Sequence, residues 1–379
     1  MKKFLCFTFF CYLFTTCCTL QTTEHKSENP QTKNKIKVEK PKYVRGIHLS
    51  AWVAGLDKFK KRFEPYLGKE KLNSIVIAIK EYEGQVYIDV PEIKNKYNTP
   101  IIPIPKIEEY LEELKSKGIY PIARIVVFKD NHLAKNFPHL AVKTPDGKIW
   151  KDYKGNSWTD PYNKEVWDYN IAVAKRAVEL GFEEIQFDYI RFPSDGNTKL
   201  CRYSQHHTST SATKALVDFL QYAKEKLSPT FISIDVFGLT PSVNHDMGIG
   251  QRFLQMAEVV DFVSPMMYPS HYRKGEYGIP DPNREPYKTV FRTVSDAKKL
   301  LAEQYHKLRP YLQDFSLGYK YGPEEVKAQI KACYDNGIFE WLLWDPKCLY
   351  TLEAIEEMIK FKPENYSVEM STIESQNNK

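Results

Sequence analysis

The chain has 379 residues, 42% of them hydrophobic and 27% charged, a globular composition long enough for one large α/β domain or two ordinary ones. Its formal net charge of +6 is spread over lysine-rich helices and tails. No basic block is interleaved with aromatics, which argues against a nucleic-acid partner.

The first residues, MKKFLCFTFFCYLFTTCC, set Lys2 and Lys3 before an apolar run from Phe4 to Phe14, the pattern of a secretory signal over residues 1–17. The run is too short to span a bilayer permanently. Thr15, Thr16 and Cys17 resemble a bacterial lipobox, with Phe14 where leucine is usual and Thr16 where glycine or alanine is. Cys17 is therefore the expected lipidation site, and simple secretion is the alternative. A lipid anchor there would be the chain's one link to a membrane. Four of the seven cysteines fall in this leader. The others, Cys201, Cys333 and Cys348, are an odd set without CxxC spacing, against both a disulfide framework and a zinc site. Residues 18–43 are polar and without periodicity from Gln21 to Lys42, so they read as a flexible tether, and residues 364–379 read as a disordered tail.

Over residues 44–363, short apolar runs alternate with helical patterns. Strands are expected at 44–52, 74–80, 120–128, 184–192, 231–238, 260–268, 309–317 and 338–345. Helices are expected at 107–118, 164–181, 209–227, 287–304 and 323–336, the first two closed by Gly118 and Gly181. This order fits an α/β fold of the (β/α)8 TIM-barrel type better than a doubly wound sheet, because no glycine-rich dinucleotide turn follows the first strand. Insertions follow strands 2 and 3. EYEGQVYIDVP (81–91) reads as a small hairpin. The longer excursion, 129–160, carries aromatics around KIWKDYKGNSW that either stack on sugar rings or pack the loop's own core. Both would sit on the C-terminal face of a barrel, where active sites are built.

In EIQFDYIRFPSDG (184–196) alternation turns Gln186 and Asp188 into the barrel and Ile185, Phe187 and Tyr189 outward. An unpaired buried carboxylate is costly, so Asp188 either pairs with Arg191 or Arg124 or takes part in chemistry. FISIDVFG repeats the device, with Ser233 and Asp235 inward. Neighbouring strands lie ~4.8 Å apart, which brings the two carboxylates within the ~5 to 9.5 Å of paired acids in glycoside hydrolysis. One would stay ionised as nucleophile or base, and the other, its pKa raised, would protonate the leaving oxygen. The alternative for Asp235 is a hydrogen-bonded structural acid that orients Asp188 or an arginine.

Farther along, Tyr268 can place a phenol in the cleft, while Met266 and Met267 suit the core. Gln313 and Asp314 end the seventh strand, and Trp344 and Asp345 the eighth. Trp344 or Trp52 is a candidate sugar platform or a core tryptophan, and His48 a hydroxyl ligand or a core histidine. The first strand has His48, Leu49, Ser50 in place of the HxH of metal-dependent amidohydrolases. There is no HExxH, Walker loop or GxSxG elbow, and His206 and His207 lie in a polar loop without companion ligands. No metal or other cofactor is required by the paired-acid reading.

The segments GFEEIQFDYIRFPSDG, ISIDVFG, DFVSPMMYPSHY, YLQDF and RGIHLSAW resemble those of a bacterial family known as the putative glycosyl hydrolase domain, across essentially the whole barrel. The resemblance implies a glycosidase-type barrel and a carbohydrate-active enzyme with a polysaccharide or oligosaccharide substrate. The layout also looks like that of α-amylase-type barrels, with a nucleophilic Asp on strand four, an acid on strand five and a supporting Asp on strand seven. Carried over, these are Asp188, Asp235 and Asp314, with Asp235 standing where the comparison normally has Glu. The expectation is an exported glycoside hydrolase of the cell envelope in which Arg191, Gln186 and Tyr268 fix hydroxyls or the acids. Its rival is a non-catalytic envelope lipoprotein that binds polysaccharide or peptidoglycan through its loops.

Overall fold

Runs of Ile, Val, Leu and Phe bounded by polar turns are buried on both faces, as parallel strands covered by helices must be. In the computed structural model, which describes residues 36–361, they form eight strands. These are β1 (Arg45–Leu49), β2 (Ser74–Lys80), β3 (Tyr120–Val126), β4 (Glu184–Asp188), β5 (Phe231–Phe237), β6 (Phe262–Met267), β7 (Tyr311–Gln313) and β8 (Trp341–Trp344). Each pairs in parallel with the next, and β8 pairs with β1, so the sheet closes into a (β/α)8 barrel. The predicted signal segment with Cys17, the tether as far as residue 35, and the tail lie outside the described residues.

Helices Ile107–Ser116, Lys164–Leu180, Ser209–Leu227, Pro286–Leu301 and Pro323–Asp335 form much of the outer layer. Local chemistry sets their ends. Asn163 caps helix Lys164–Leu180 by accepting from Glu165 N at 2.9 Å. Gly181, at φ 114°, ends it by donating to Ala177 O and Val178 O, a conformation that a Cβ would strain. The helix buries Val166, Tyr169, Val173 and Ala177. Full burial of a valine such as Val166 or Val173 contributes ~1.5–3 kcal/mol of transfer free energy.

Strand alternation divides the interior into two cores. Outward residues such as Ile47, Ile75, Ile185, Phe187 and Ile234 pack against the helices. Val44, Val76, Tyr120, Ile122, Tyr311 and Leu342 fill the barrel itself. At its N-terminal end the filling is ionic: Arg309 pairs with Glu184 at 2.7 Å and Glu340 at 2.9 Å. Residues 36–43, expected to belong to the tether, dock at this same end. Lys40 pairs with Glu340 at 2.6 Å, Val38 N donates to Glu183 at 3.1 Å, and Lys115 Nζ donates to Ile36 O at 2.8 Å.

The first insertion turns tightly, Glu81 N donating to Gln85 O at 3.2 Å. It makes a short antiparallel bridge from Lys80 to Val86 and then continues into helix Pro91–Tyr97. The second carries helix Asn131–Asn136 and small antiparallel bridges. It buries Trp150 and Trp158, which favours the mini-core reading for both, and leaves Tyr153 83% exposed. Cys201, Cys333 and Cys348 are buried and free. Among the described residues no helix is long and apolar enough to cross a membrane.

Candidate active site

At the C-terminal end of the barrel the inward positions are polar. β1 contributes His48, β3 Arg124, β4 Asp188 and β5 Asp235, while Trp344 closes β8. Parallel pairing of β3 with β4 sets Arg124 beside Gln186 and one step below Asp188. Its guanidinium therefore reaches up to the acid. Nη2 donates to Asp188 Oδ2 at 2.5 Å and Nε to the same oxygen at 3.1 Å. Nη1 donates to Glu81 Oε1 at 3.0 Å, and Nε lies 3.9 Å from Asp235 Oδ2. Because one Nε is shared, the Oδ2 atoms of Asp188 and Asp235 lie no farther apart than the sum of the two distances, 7.0 Å. That ceiling falls within the range of paired acids, about 5 to 9.5 Å.

Glu81 is a site residue that alternation alone does not predict. Continued from Ala78, a regular β2 would turn Lys80 inward and Glu81 out. A register irregularity between Ala78 and Lys80 shifts the phase, as bulges beside active sites do. Lys80 instead points outward to Asp130 at 2.9 Å, and Glu81 enters the barrel mouth.

The electrostatics separate the acids. Burial, then the charge of Asp188, pushes the Asp235 carboxyl well above its usual range, with Arg124 opposing them too weakly to cancel the shift. Burial also raises Glu81, against the pull of Arg124. Burial works against the charge of Arg124 itself, but Glu81, Asp188 and Asp235 outweigh it and hold its pKa well above the ordinary value. His48 is pushed well below its usual range by burial and by Arg124, so its imidazole is neutral. The ring lies 4.2 Å from the Trp344 ring, and Arg124 lies over the same indole at 5.3 Å. Gln186 accepts from the Tyr311 hydroxyl at 3.0 Å.

Among the described residues no protein group bonds either nitrogen of His48, Nε2 of Gln186 or Oδ1 of Asp235, all fully buried atoms. An unpartnered buried polar atom costs about 1–3 kcal/mol. These three side chains share the polar lining of the barrel's C-terminal end. Tyr268 is buried here too, its phenol raised by burial and then by Asp235 and Asp188.

Asp188, Asp235, His48, Gln186, Tyr268 and Trp344 thus converge, and the other expected residues lie elsewhere. Arg191 is not the partner of Asp188; it lies beyond the end of β4 among Trp158, Tyr189 and Phe237. Trp52, 62% exposed, meets Tyr87 edge-on on the first loop. Asp314 does not join the acid pair as the α-amylase-type layout implies: β7 turns Gln313 inward, and the Asp314 carboxylate accepts from Thr351 N at 2.8 Å and Thr351 Oγ1 at 2.5 Å. Burial pushes it up to about 7. Asp345 accepts from Lys347 N at 2.5 Å and stabilises the turn after β8 rather than the site. No group of three or more His, Cys, Asp or Glu among the described residues is arranged to hold a metal ion.

A family model described as "Putative glycosyl hydrolase domain" matches residues 46–350. The chain is 32% identical to a hypothetical protein from Ruminiclostridium thermocellum ATCC 27405, over 50% of this chain and 97% of that one, with a TM-score of 0.44. It is similar to the PgaB (BpsB) glycoside hydrolase domain from Bordetella bronchiseptica, at 10% identity, covering 84% of this chain and 98% of that one, with a TM-score of 0.61. The spore cortex-lytic enzyme SleL of Bacillus megaterium QM B1551 matches at 12% identity, 84% and 74% coverage, and a TM-score of 0.51. At 10% and 12% identity the likeness is one of fold. No curated protein matches the chain.

Proposed function

The chain belongs to the putative glycosyl hydrolase domain family, and from that premise we propose that it hydrolyses O-glycosidic bonds of an envelope or extracellular polysaccharide at the C-terminal mouth of its barrel. One observation carries the reading. A single guanidinium, Arg124, is shared unequally by two carboxyl groups, salt-bridged to Asp188 at 2.5 Å and 3.9 Å from Asp235. Asp188 is then the charged partner, while burial and the charge of Asp188 favour the protonated form of Asp235. Two carboxyl groups with environments this different supply a base or nucleophile and a proton donor. Asp188 attacks the anomeric carbon or activates a water, Asp235 protonates the leaving oxygen, and Arg124 positions both. His48, Gln186 and Tyr268 bind substrate hydroxyls.

Exposure favours a second assignment for the acid. The Glu81 side chain is 23% exposed where that of Asp235 is 2%, and burial raises its pKa as well. The envelope setting rests on residues 1–17 and Cys17, and a lipid mass increment on Cys17 in detergent-extracted protein tests it. The activity is tested by reducing-end release from a panel of bacterial polysaccharides. Asp188→Asn is expected to lower it ~10²–10⁴-fold while glycan binding persists. Unchanged release by the variant would sink the assignment. Glycan binding without product, even by the unaltered protein, would favour the non-catalytic rival.

A further inference from the structure

Three residues beyond Asp188, past the end of β4, Arg191 is buried, 6% exposed. Its guanidinium faces three aromatic rings, Tyr189 at 4.7 Å and Trp158 and Phe237 at 4.8 Å. Nη1 donates to Ser194 Oγ at 2.8 Å and, at 3.3 Å, to Phe192 O. The Tyr189 hydroxyl is also within its reach. Among the described residues no carboxylate stands within ion-pair distance; Asp195 and Asp188 act on it only from farther away.

Such a charge is expensive to bury alone. Four comparably buried cations, Arg124, Arg309, Lys80 and Lys115, each have a carboxylate at 2.5 to 2.9 Å, whereas Arg45, equally buried at the opposite end of the barrel, donates to the Phe361 carbonyl at 3.1 Å and lies over the Tyr334 ring. A second cation shares the aromatic group. Lys129 Nζ lies 5.6 Å from both the Trp158 and Tyr189 rings and 5.1 Å from that of Tyr82, with Asp152 at 3.2 Å. Asp152 is thus engaged by Lys129 and does not serve Arg191 as a close partner. Burial pulls the pKa of Arg191 down, the mark of a charge short of a partner.

We infer that Arg191 binds an oxyanion carried by the substrate, so that the polysaccharide cut at the neighbouring acids is itself acidic, its sugars bearing carboxylate or phosphate groups. The inference rests on the hydrolase reading of Asp188 and Asp235 and names the substrate class of that site. A guanidinium fork matches both anions in two-point geometry, and the aromatic walls keep the contact dry. Cation–π contacts with Trp158, Tyr189 and Phe237 hold the fork in place before an anion arrives.

The test is direct and needs no identified polysaccharide. In full-length protein labelled with ¹⁵N-arginine, the Arg191 Nε–H resonance is assigned by its loss in Arg191→Lys. It is then followed during titration with D-glucuronate, D-glucose 6-phosphate and D-glucose. The expected result is a saturable shift with at least one anion and none with glucose over the same range. A response to glucuronate alone identifies a uronate-type carboxylate, and a response to the phosphate ester alone identifies a phosphate. Arg191→Lys keeps the charge but loses the fork, so the responding anion should bind ~10-fold more weakly, read from its effect on the Trp158 indole N–H. If Arg191→Lys does not fold, that indole resonance, assigned with Trp158→Phe, reports the same titration in unaltered protein. No response to either anion, or an equal response to glucose, overturns the inference. Loss of hydrolysis in Asp188→Asn together with a silent Arg191 would leave the hydrolase reading standing and refute only the acidic substrate. Anion binding with hydrolysis unaffected by Asp188→Asn would do the reverse.

Discussion

Replacing Arg124 by methionine tests the ionic logic of the barrel mouth. The guanidinium donates twice to Asp188, at 2.5 and 3.1 Å, once to Glu81 at 3.0 Å, and lies 3.9 Å from Asp235. Methionine fills part of the volume and removes the charge. Breaking a buried pair from one side typically costs ~3–5 kcal/mol, a large fraction of a total stability of ~5–15 kcal/mol. The informative part is the pH dependence. Glu81 and Asp235 are already raised by burial, and in the variant they lose the cation that opposes the rise. A carboxyl raised in the folded state contributes stability below its unfolded pKa and loses it as pH rises through its folded pKa. The deficit of Arg124→Met should therefore grow with pH, by up to ~1.4 kcal/mol per pH unit for each group that holds an extra proton. Urea unfolding of both proteins at pH 5 and pH 8 measures it. A deficit equal at the two pH values would mean that Arg124 acts by packing, and the charge argument for the site would fail.

The same sign rule governs Asp235→Asn. Asparagine reproduces the protonated acid without its titration, so the variant should gain thermal stability over the unaltered protein as pH rises, while losing hydrolysis. A stability difference that does not change between pH 5 and pH 9 would show that the burial of Asp235 has been misjudged. Glu81→Gln discriminates between the candidate acids: if Asp235 is the donor, the alkaline limb of the kcat/KM profile survives in Glu81→Gln, and its disappearance would transfer the role to Glu81. Asp314, raised by burial to about 7 from an ordinary 3.8, contributes stability below pH ~4 that is gone above pH ~7. Asp314→Asn should remove that component from the pH profile of the melting midpoint, and a profile of unchanged shape would contradict the shift.

Where a residue's position depends on unbroken alternation, it is legible in the sequence. Helix Ser209–Leu227 likewise has its expected bounds, because Thr208 caps it by accepting from Ser211 N. Asp188 and Asp235 sit on regular stretches of β4 and β5, so the two-residue period carries them inward. Legibility fails where the backbone departs from that period. The expected strand 184–192 stops at Asp188 because Tyr189 turns to φ 53°, and Arg191 is carried out of the barrel with it. The irregularity in β2 conceals Glu81. At 309–317 only Tyr311–Gln313 is strand, and its phase turns Asp314 away from the position a layout analogy gave it. The choice of Arg124 over Arg191 as partner of Asp188 is a matter of which strands are neighbours, and local pattern does not encode it.

The docking of residues 36–43 against the base of the barrel has a directional consequence. Through Lys40, Val38 and the Ile36 carbonyl the chain enters the fold at the N-terminal ends of the strands, a full barrel height from Asp188 and Asp235. A surface gripping the protein through this end would see its closed ionic floor, and the acids would open toward the other side. Tension applied through Ile36 would load the contacts of Lys40 and Val38 before it reached any strand. The molecule can thus be held and pulled from one end while its chemistry, at the other, keeps its geometry.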